Sequence, residues 1–235
     1  METGTDKEIY ASKDNSEYTG LFVILAMLFI TCFLVSNVIG GKMWAIGEHT
    51  SLPASVILFP LTYMLADVFT EVYGFERTRR VIWTGFACNV VAVLAYMITI
   101  ILPHPLYWLE EPAFAVVLGM APRMILASLT AYLIGEFSNS ILLSKIKIKT
   151  NGKYLWVRTI GSSLVGEGLD SVIFILVAFA GTIPSDKLLS TILFQYLFKL
   201  GYEIVLTPLT YWVVGSLKRK EGIDIYDYEQ KYKIL

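Results

Sequence analysis

Apolar residues run through this chain in six long stretches separated by polar breaks, each near or above the roughly 20 residues a helix needs to cross a hydrocarbon core about 30 Å thick. The predicted spans cover residues 21–40, 52–73, 80–102, 114–143, 157–183 and 188–217. The third ends at Pro103, His104 and Pro105, a breaker cluster. The fourth is long for one perpendicular crossing, so it reads as tilted or as broken at Pro122, where proline removes a helical hydrogen bond. No solenoid period, low-complexity run or long linker divides the chain. The expected fold is all-α: a polytopic transmembrane helix bundle of about six spans over residues 21–217, flanked by tails at 1–20 and 218–235.

Composition agrees with a membrane solvent. Of 235 residues, 55% are hydrophobic and 17% charged, with mean hydropathy +0.61. Soluble domains run at roughly 45–50% apolar and about 25% charged. A net charge of -1 offers no basic field for a phosphate backbone, which argues against direct nucleic-acid binding. Cys32 and Cys88 lie in apolar stretches without CxxC or Cys/His neighbours, so they read as small buried apolar residues rather than a disulfide or zinc site. The first twenty residues are acidic, unlike the basic start of a secretory signal.

Lysine and arginine set the expected orientation, because basic residues in short loops favour the cytoplasmic side. The N-terminal tail, the loops after the second and fourth spans, and the segment after the sixth together carry 15, against Lys42 and Lys187 on the other side. A multi-pass protein of the plasma (inner) membrane with both termini cytoplasmic follows.

The functional signal is the set of ionisable residues left inside the spans, since a charge at mid-bilayer costs at least about 2.5–3.5 kcal/mol. Asp67 and Glu71 are four apart on the second span, Glu167 and Asp170 three apart on the fifth, and Lys199 and Glu203 four apart on the sixth, so each pair shares a helix face. Arg123 and Glu136 fall on the fourth. Glu71 and Glu136 lie near the cytoplasmic ends, where an interfacial role competes with a functional one. The deeper set is Asp67, Arg123, Glu167, Asp170, Lys199 and Glu203, with Asn37, Asn89, Gln195 and Asn139 as polar company. Its bland reading is interhelical glue. Four acids against two bases, however, leave carboxylates to be protonated, to meet a cation, or to accept from a ligand's N–H groups. Tyr63, Tyr132, Phe174 and Tyr196 fall near these positions, where a planar ligand could stack. The run GSSLVGEGLD from Gly161 to Asp170 permits either close helix contact or an unwound turn lining a cavity. No HExxH, GxSxG or GxxxxGK[ST] is present, and no cofactor or metal site is expected, so a transporter is favoured over an enzyme. Energy would come from a gradient, a partner protein or later trapping of the substrate.

The chain resembles the queuosine-precursor transporters, vitamin-uptake-like integral membrane proteins. The resemblance rests on Ser36–Asn37 with Lys42, FPLTYMLADVFTEVYG from Phe59 to Gly74, and Arg79 with Arg80. It continues in Arg123 with ASLTAY, Asn139, RTIGSSLVGEGLDS from Arg158, and KLGYEIVLTPLTY from Lys199. It implies a six-helix fold similar to the membrane S-components of vitamin importers. It further implies uptake of 7-deazaguanine bases such as preQ0, preQ1 or queuine for making queuosine in tRNA. A guanine-like edge presents N1–H and an amine, which a carboxylate accepts as a pair, and a carbonyl that needs a donor. On this reading the substrate-binding candidates are Asn37, Asp67, Arg123, Glu167, Asp170, Lys199 and Glu203, with Asp67, Arg123, Asp170 and Lys199 foremost. Asp170 or Glu167 would take the donor edge and Arg123, Lys199 or Asn37 the carbonyl; Asp67 is a candidate for binding or proton coupling. The leading reading is a secondary transporter or facilitator, alone or as a homo-oligomer in membrane lipid; the alternative is a substrate-binding membrane subunit that needs separate energising proteins.

Overall fold

The computed structural model describes residues 18–40, 42–46, 50–119, 122–181, 185–228 and 232. In chain order these form α1 (Gly20–Ile39), the antiparallel hairpin β1 (Met43–Ile46) and β2 (Thr50–Pro53), a 3₁₀ turn (Ala54–Ile57), α2 (Phe59–Tyr73), α3 (Phe75–Ile101), α4 (Glu111–Leu118), α5 (Pro122–Lys149), α6 (Leu155–Phe179) and α7 (Ser185–Glu221). In the hairpin Met43 stands opposite Pro53 and Ile46 opposite Thr50. Five helices, α1, α3, α5, α6 and α7, contain stretches long and apolar enough to cross a membrane. The all-α bundle expected from the hydropathy pattern is therefore present, with a small hairpin added between its first two helices.

The second predicted span is corrected. Residues 52–73 are not one crossing helix: they begin in β2, pass through the 3₁₀ turn, and become helical only from Phe59, with Pro60 in the first turn where its missing N–H costs nothing. Fifteen residues rise about 22 Å, less than the hydrocarbon thickness. That shortness is tolerated because α2 sits inside the bundle, packed on α1, α3, α5 and α7, with every residue but Leu61 buried. Gly74 ends it at φ +81°, a backbone conformation that a side chain would strain, and a Cβ there would stand 2.8 Å from Ile225 Cγ2.

The long fourth segment resolves into two helices, α4 and α5, with Pro122 opening the second, so the break expected at that proline is seen. The fifth decides between the two readings of GSSLVGEGLD: α6 is helical without interruption from Leu155 to Phe179, so the unwound turn is not formed. Close contact is what the glycines provide. A Cβ on Gly166 would stand 2.9 Å from the carbonyl oxygen of Gly135, and one on Gly135 the same distance from that of Gly166.

Burial follows the inverted logic of a protein dissolved in lipid. Ile24, Val91, Ile98, Leu197, Val205 and Trp212 are exposed on the outside of α1, α3 and α7, whereas Asp67, Glu71, Glu136, Asn139, Ser163 and Glu167 are buried within. Aromatic side chains fill the space between α1 and α2: Phe22 meets Phe69 and Tyr73 edge-on, at ring separations of 5.2 and 4.9 Å. Cys32 is buried and Cys88 partly so, both as free thiols. Of the two histidines, His104 follows α3 and His49 lies outside the described residues.

The segment after α7 does not leave the bundle. Ile225 N donates to Val72 O at 3.2 Å, and Asp227 Oδ2 accepts from Phe75 N at 3.0 Å, capping the first turn of α3, and from Ser144 Oγ at 2.6 Å. Tyr232 closes on Phe75 edge-on, with ring centroids 5.2 Å apart.

Candidate functional site

Polar residues and the Phe59 ring, many of them three or four positions apart, line the inward faces of four helices. These are Phe59, Tyr63, Asp67 and Glu71 on α2; Ser128, Tyr132, Glu136, Asn139 and Lys147 on α5; Arg158, Ser163, Glu167 and Asp170 on α6; and Gln195, Lys199 and Glu203 on α7. Because α2, α5 and α7 run from the cavity end toward the basic loops and α6 runs back, these stripes stack into three levels along the bundle axis. A rise of 1.5 Å per residue puts the second level about 6 Å below the first on α7, from Lys199 to Glu203, and the third about 6 Å below the second on α2, from Asp67 to Glu71.

The first level is a cavity at the end of the bundle away from the basic loops, with about 950 Å³ of free space including its open mouth. Its apolar wall includes Leu34, Phe59, Val93, Tyr96, Leu129 and Phe174; its polar wall is Ser36, Asn37, Ser55, Asn89, Ser128, Asp170, Gln195 and Lys199. Lys199 Nζ donates to Asp170 Oδ2, and both side chains are almost fully buried. The same ammonium lies 5.0 Å from the centroid of the Phe59 ring, over its negative face. Asn37 Nδ2 donates to Asn89 Oδ1 at 2.7 Å and Ser128 Oγ donates to Asn37 Oδ1 at 2.8 Å. That chain fixes Asn37 but leaves Asn89 Nδ2 and Gln195 Oε1 buried with no hydrogen-bond partner among the described residues. One unmet donor and one unmet acceptor thus accompany an ion pair that presents both functions side by side. A planar polar ligand fits that chemistry.

One turn deeper lie Asp67, Glu136, Glu167 and Glu203, one carboxyl from each of α2, α5, α6 and α7. Asp67 Oδ1 accepts from Asn139 Nδ2 at 2.7 Å, and Ser163 Oγ donates to Asn139 Oδ1 at 3.4 Å. Both carboxyl oxygens of Glu136, Glu167 and Glu203 have no hydrogen-bond partner among the described residues. No cation is paired with any of the four among the described ion pairs.

The third level is an ionic knot at the end that carries the basic loops. Arg158 Nε donates to Glu71 Oε2 at 2.6 Å and its Nη2 to Glu71 Oε1 at 2.7 Å, a two-pronged contact matched to the carboxylate plane. Lys218 Nζ adds a third bond to Glu71 Oε1 at 2.6 Å. Lys147 Nζ donates to the backbone oxygen of Glu71 and to Asp224 Oδ1 and Ile225 O at 2.6 and 2.7 Å. Asp224 also meets Lys218 at 3.0 Å, so the segment after α7 is part of the closure. Nearby Tyr226, 4.4 Å from Lys147 Nζ by its ring centroid, has its hydroxyl pKa pushed up, first by burial and then by the charges of Asp224 and Glu71.

The residues singled out in the sequence therefore separate. Asn37, Asp170 and Lys199 line the cavity, joined by Asn89 and Gln195; Asp67, Glu167 and Glu203 lie beneath it with Glu136 and Asn139. Arg123 falls in the first turn of α5, and its side chain lies outside the described ones. Glu71 and Glu136 are both fully buried, so neither meets water. Glu71 meets the basic segments, as its interfacial reading allowed, but inside the bundle; for Glu136 that reading is corrected, since it meets no basic residue among the described residues. Lys199 and Glu203 share a face, yet Lys199 pairs across the helix interface with Asp170. Of the four aromatic candidates only Phe174 lines the cavity; Tyr63 and Tyr132 are core residues below it, and Tyr196 donates to Leu164 O at 3.1 Å. Sequence reasoning missed Phe59 and Tyr96. The second had a usable signal, since it stands seven residues after Asn89 on one face of α3.

Comparison with known proteins agrees with the geometry. The profile of the family described as "Putative vitamin uptake transporter" matches residues 53–213. A curated relative, named "Probable queuosine precursor transporter" from Bacillus subtilis (strain 168), is 26% identical over 156 residues, which cover 66% of this chain and 68% of its own. No solved structure matches. The matched region contains the α2 stripe, the carboxyl level, Asp170 and Lys199, and both similarities are to transporters rather than enzymes. With its membrane-spanning helices and its buried polar column, this chain belongs to the vitamin uptake transporter family.

Proposed function

We propose that this protein imports a queuosine precursor, a 7-deazaguanine base such as preQ0, preQ1 or queuine, across the plasma membrane. The observation that carries this reading is the Lys199–Asp170 pair in the cavity wall beside unpaired groups of Asn89 and Gln195. Lys199 uses one oxygen of Asp170. The carboxylate keeps lone pairs for a base's N1–H and amine while the ammonium donates to its carbonyl. Phe59, Tyr96 and Phe174 supply apolar and aromatic surface for the ring. The name of the Bacillus subtilis relative supports the same substrate class. With the basic loops placed in the cytoplasm, both termini are cytoplasmic, the cavity faces outward and the ionic knot closes the inner side.

Asp170→Asn replaces the acceptor with an amide while keeping its shape. Two charge-assisted hydrogen bonds are lost, so uptake at low substrate is expected to fall roughly 100-fold or more. The measurement is queuosine in tRNA from cells that neither make the precursor nor import it otherwise, supplied with each base in turn. Restoration by the native chain and its loss in Asp170→Asn at equal membrane abundance is the expected result. Failure of the native chain with all three bases would overturn the substrate assignment.

A further inference from the structure

We propose that Asp67, Glu136, Glu167 and Glu203 form a proton-binding site, distinct from the substrate cavity, that couples uptake of the base to inward movement of protons; this rests on the substrate reading above. Carboxyls from four different helices converge at one level, and three of them hold six buried oxygens without a hydrogen-bond partner among the described residues, with Asn139 and Ser163 the nearest donors. Ionised, each would be a buried charge without an ion-pair partner among the described residues, which is among the costliest arrangements a protein interior can hold. A proton on the group removes that cost and turns it into a donor.

A second observation leads from the cavity to this level. The hydroxyls of Tyr63 and Tyr132 are buried and have no hydrogen-bond partner among the described residues. Tyr63 Oη and Asp170 Cβ both crowd the same face of Gly135, at 2.4 and 2.9 Å from where a Cβ would stand, and Glu136 is the next residue. Tyr63 lies within electrostatic reach of Asp170, Glu136 and Glu167, and Tyr132 of Glu136. Two hydroxyls able to donate and accept thus lie at this level, Tyr63 between Asp170 and the carboxyls and Tyr132 beside Glu136.

The charged and titratable groups facing this level can be named by element. They are Tyr63 and Asp67 on α2, Tyr132 and Glu136 on α5, Glu167 and Asp170 on α6, and Tyr196, Lys199 and Glu203 on α7. α1 carries no charged side chain, and α3 carries its four, Glu76, Arg77, Arg79 and Arg80, in its first six residues at the knot end. Among the described residues Lys199 is the cation shared between levels: on Asp170 above, one turn from Glu203 and in the field of Glu167 below. With the carboxyls protonated, nothing competes with Asp170 for Lys199, and the pair stays set for the base. Loss of protons to the cytoplasm restores negative charge below, draws Lys199 downward, and removes the donor that holds the base's carbonyl.

The test uses the full chain in proteoliposomes with preQ0, whose uncharged nitrile form is not trapped by a pH difference. The membrane potential is clamped at zero. With the outside acidic, accumulation is expected to approach tenfold per unit of imposed pH difference for one proton per base, and to vanish with a protonophore. Glu136→Gln, which holds no proton but keeps the volume, is expected to exchange labelled preQ0 across the membrane without accumulating it. Exchange by the native chain that ignores the gradient would overturn the proton site and leave the substrate reading intact. Absence of any exchange would instead remove the substrate. In that case the infrared carbonyl band of protonated carboxyls decides on the same samples at pH 7. A band that weakens in Glu136→Gln supports the site, and one that is missing or unchanged in that variant overturns it.

Discussion

Arg158→Ala is expected to cost up to about 3–5 kcal/mol of stability, the range for breaking a buried ion pair, because Glu71 loses its two-pronged partner and keeps, among the described ion pairs, only the ammoniums of Lys218 and Lys147, both on Oε1. Glu71 is fully buried and receives two of its three side-chain hydrogen bonds from Arg158, at 2.6 and 2.7 Å. Lys218 alone meets only Oε1, so the other oxygen would be stranded. For a chain of this size that loss is on the order of a 10 °C fall in the melting midpoint of the detergent-solubilised protein. Arg158→Lys should recover only part of it, since an ammonium cannot reproduce the planar fork. Glu71→Gln combined with Arg158→Ala should cost less than Arg158→Ala alone, because the amide removes the stranded charge. If the double variant is as unstable as the two single losses added together, the two residues are not coupled in the folded protein.

Gly135→Ala is expected to damage transport more than its single methyl group suggests. The new Cβ would stand 2.4 Å from Tyr63 Oη, 2.9 Å from Asp170 Cβ and 2.9 Å from the Gly166 carbonyl oxygen, so at least one of them must move. Tyr63 is a rigid ring in a filled core and Gly166 is backbone of the facing helix; neither gives way easily. Overpacking of this kind costs roughly 1–3 kcal/mol, and here it also shifts Asp170 away from Lys199. Uptake should fall at least tenfold in protein that still reaches the membrane. The control is Gly161→Ala, where the nearest atom, Ile146 Cδ1, would be at an ordinary 3.6 Å. That variant should keep stability and uptake near native. Equal loss in both, measured as uptake per folded molecule, would mean that helix flexibility rather than close contact matters at Gly135.

How much of this was readable beforehand differs by feature. The spans at α1, α3, α6 and α7 were legible to within a few residues, because an apolar stretch of sufficient length has one stable answer in lipid. Residues 52–73 misled for the same reason: their hydropathy satisfies a crossing helix, and only packing on four neighbours reveals a short helix enclosed by protein. The glycines of α6 carried two meanings that the sequence could not separate. An unwound turn and a tight interface both call for small residues, and the choice lay in Gly135 of another helix. At the site, Asp67, Glu167, Asp170, Lys199 and Glu203 were visible as charges that lipid does not tolerate, and spacing placed the pairs on common faces. Spacing put Lys199 and Glu203 on one face, but only the packing of α6 on α7 gives Lys199 its partner, Asp170.

The sequence by itself determined that this is a helical membrane protein with its charges turned inward, since burying apolar surface in lipid and hiding charge from it are properties of residue type and run length. Its ordered motifs also carried the family. Only the tertiary structure decided depth and company: which charges meet the cavity, which lie unpaired a turn below, and which tie Glu71, Arg158, Lys147, Lys218 and Asp224 into a closed end. Helical periodicity fixes the face on which a side chain stands, but not which face of which other helix it will find opposite, because that depends on how all the helices pack at once.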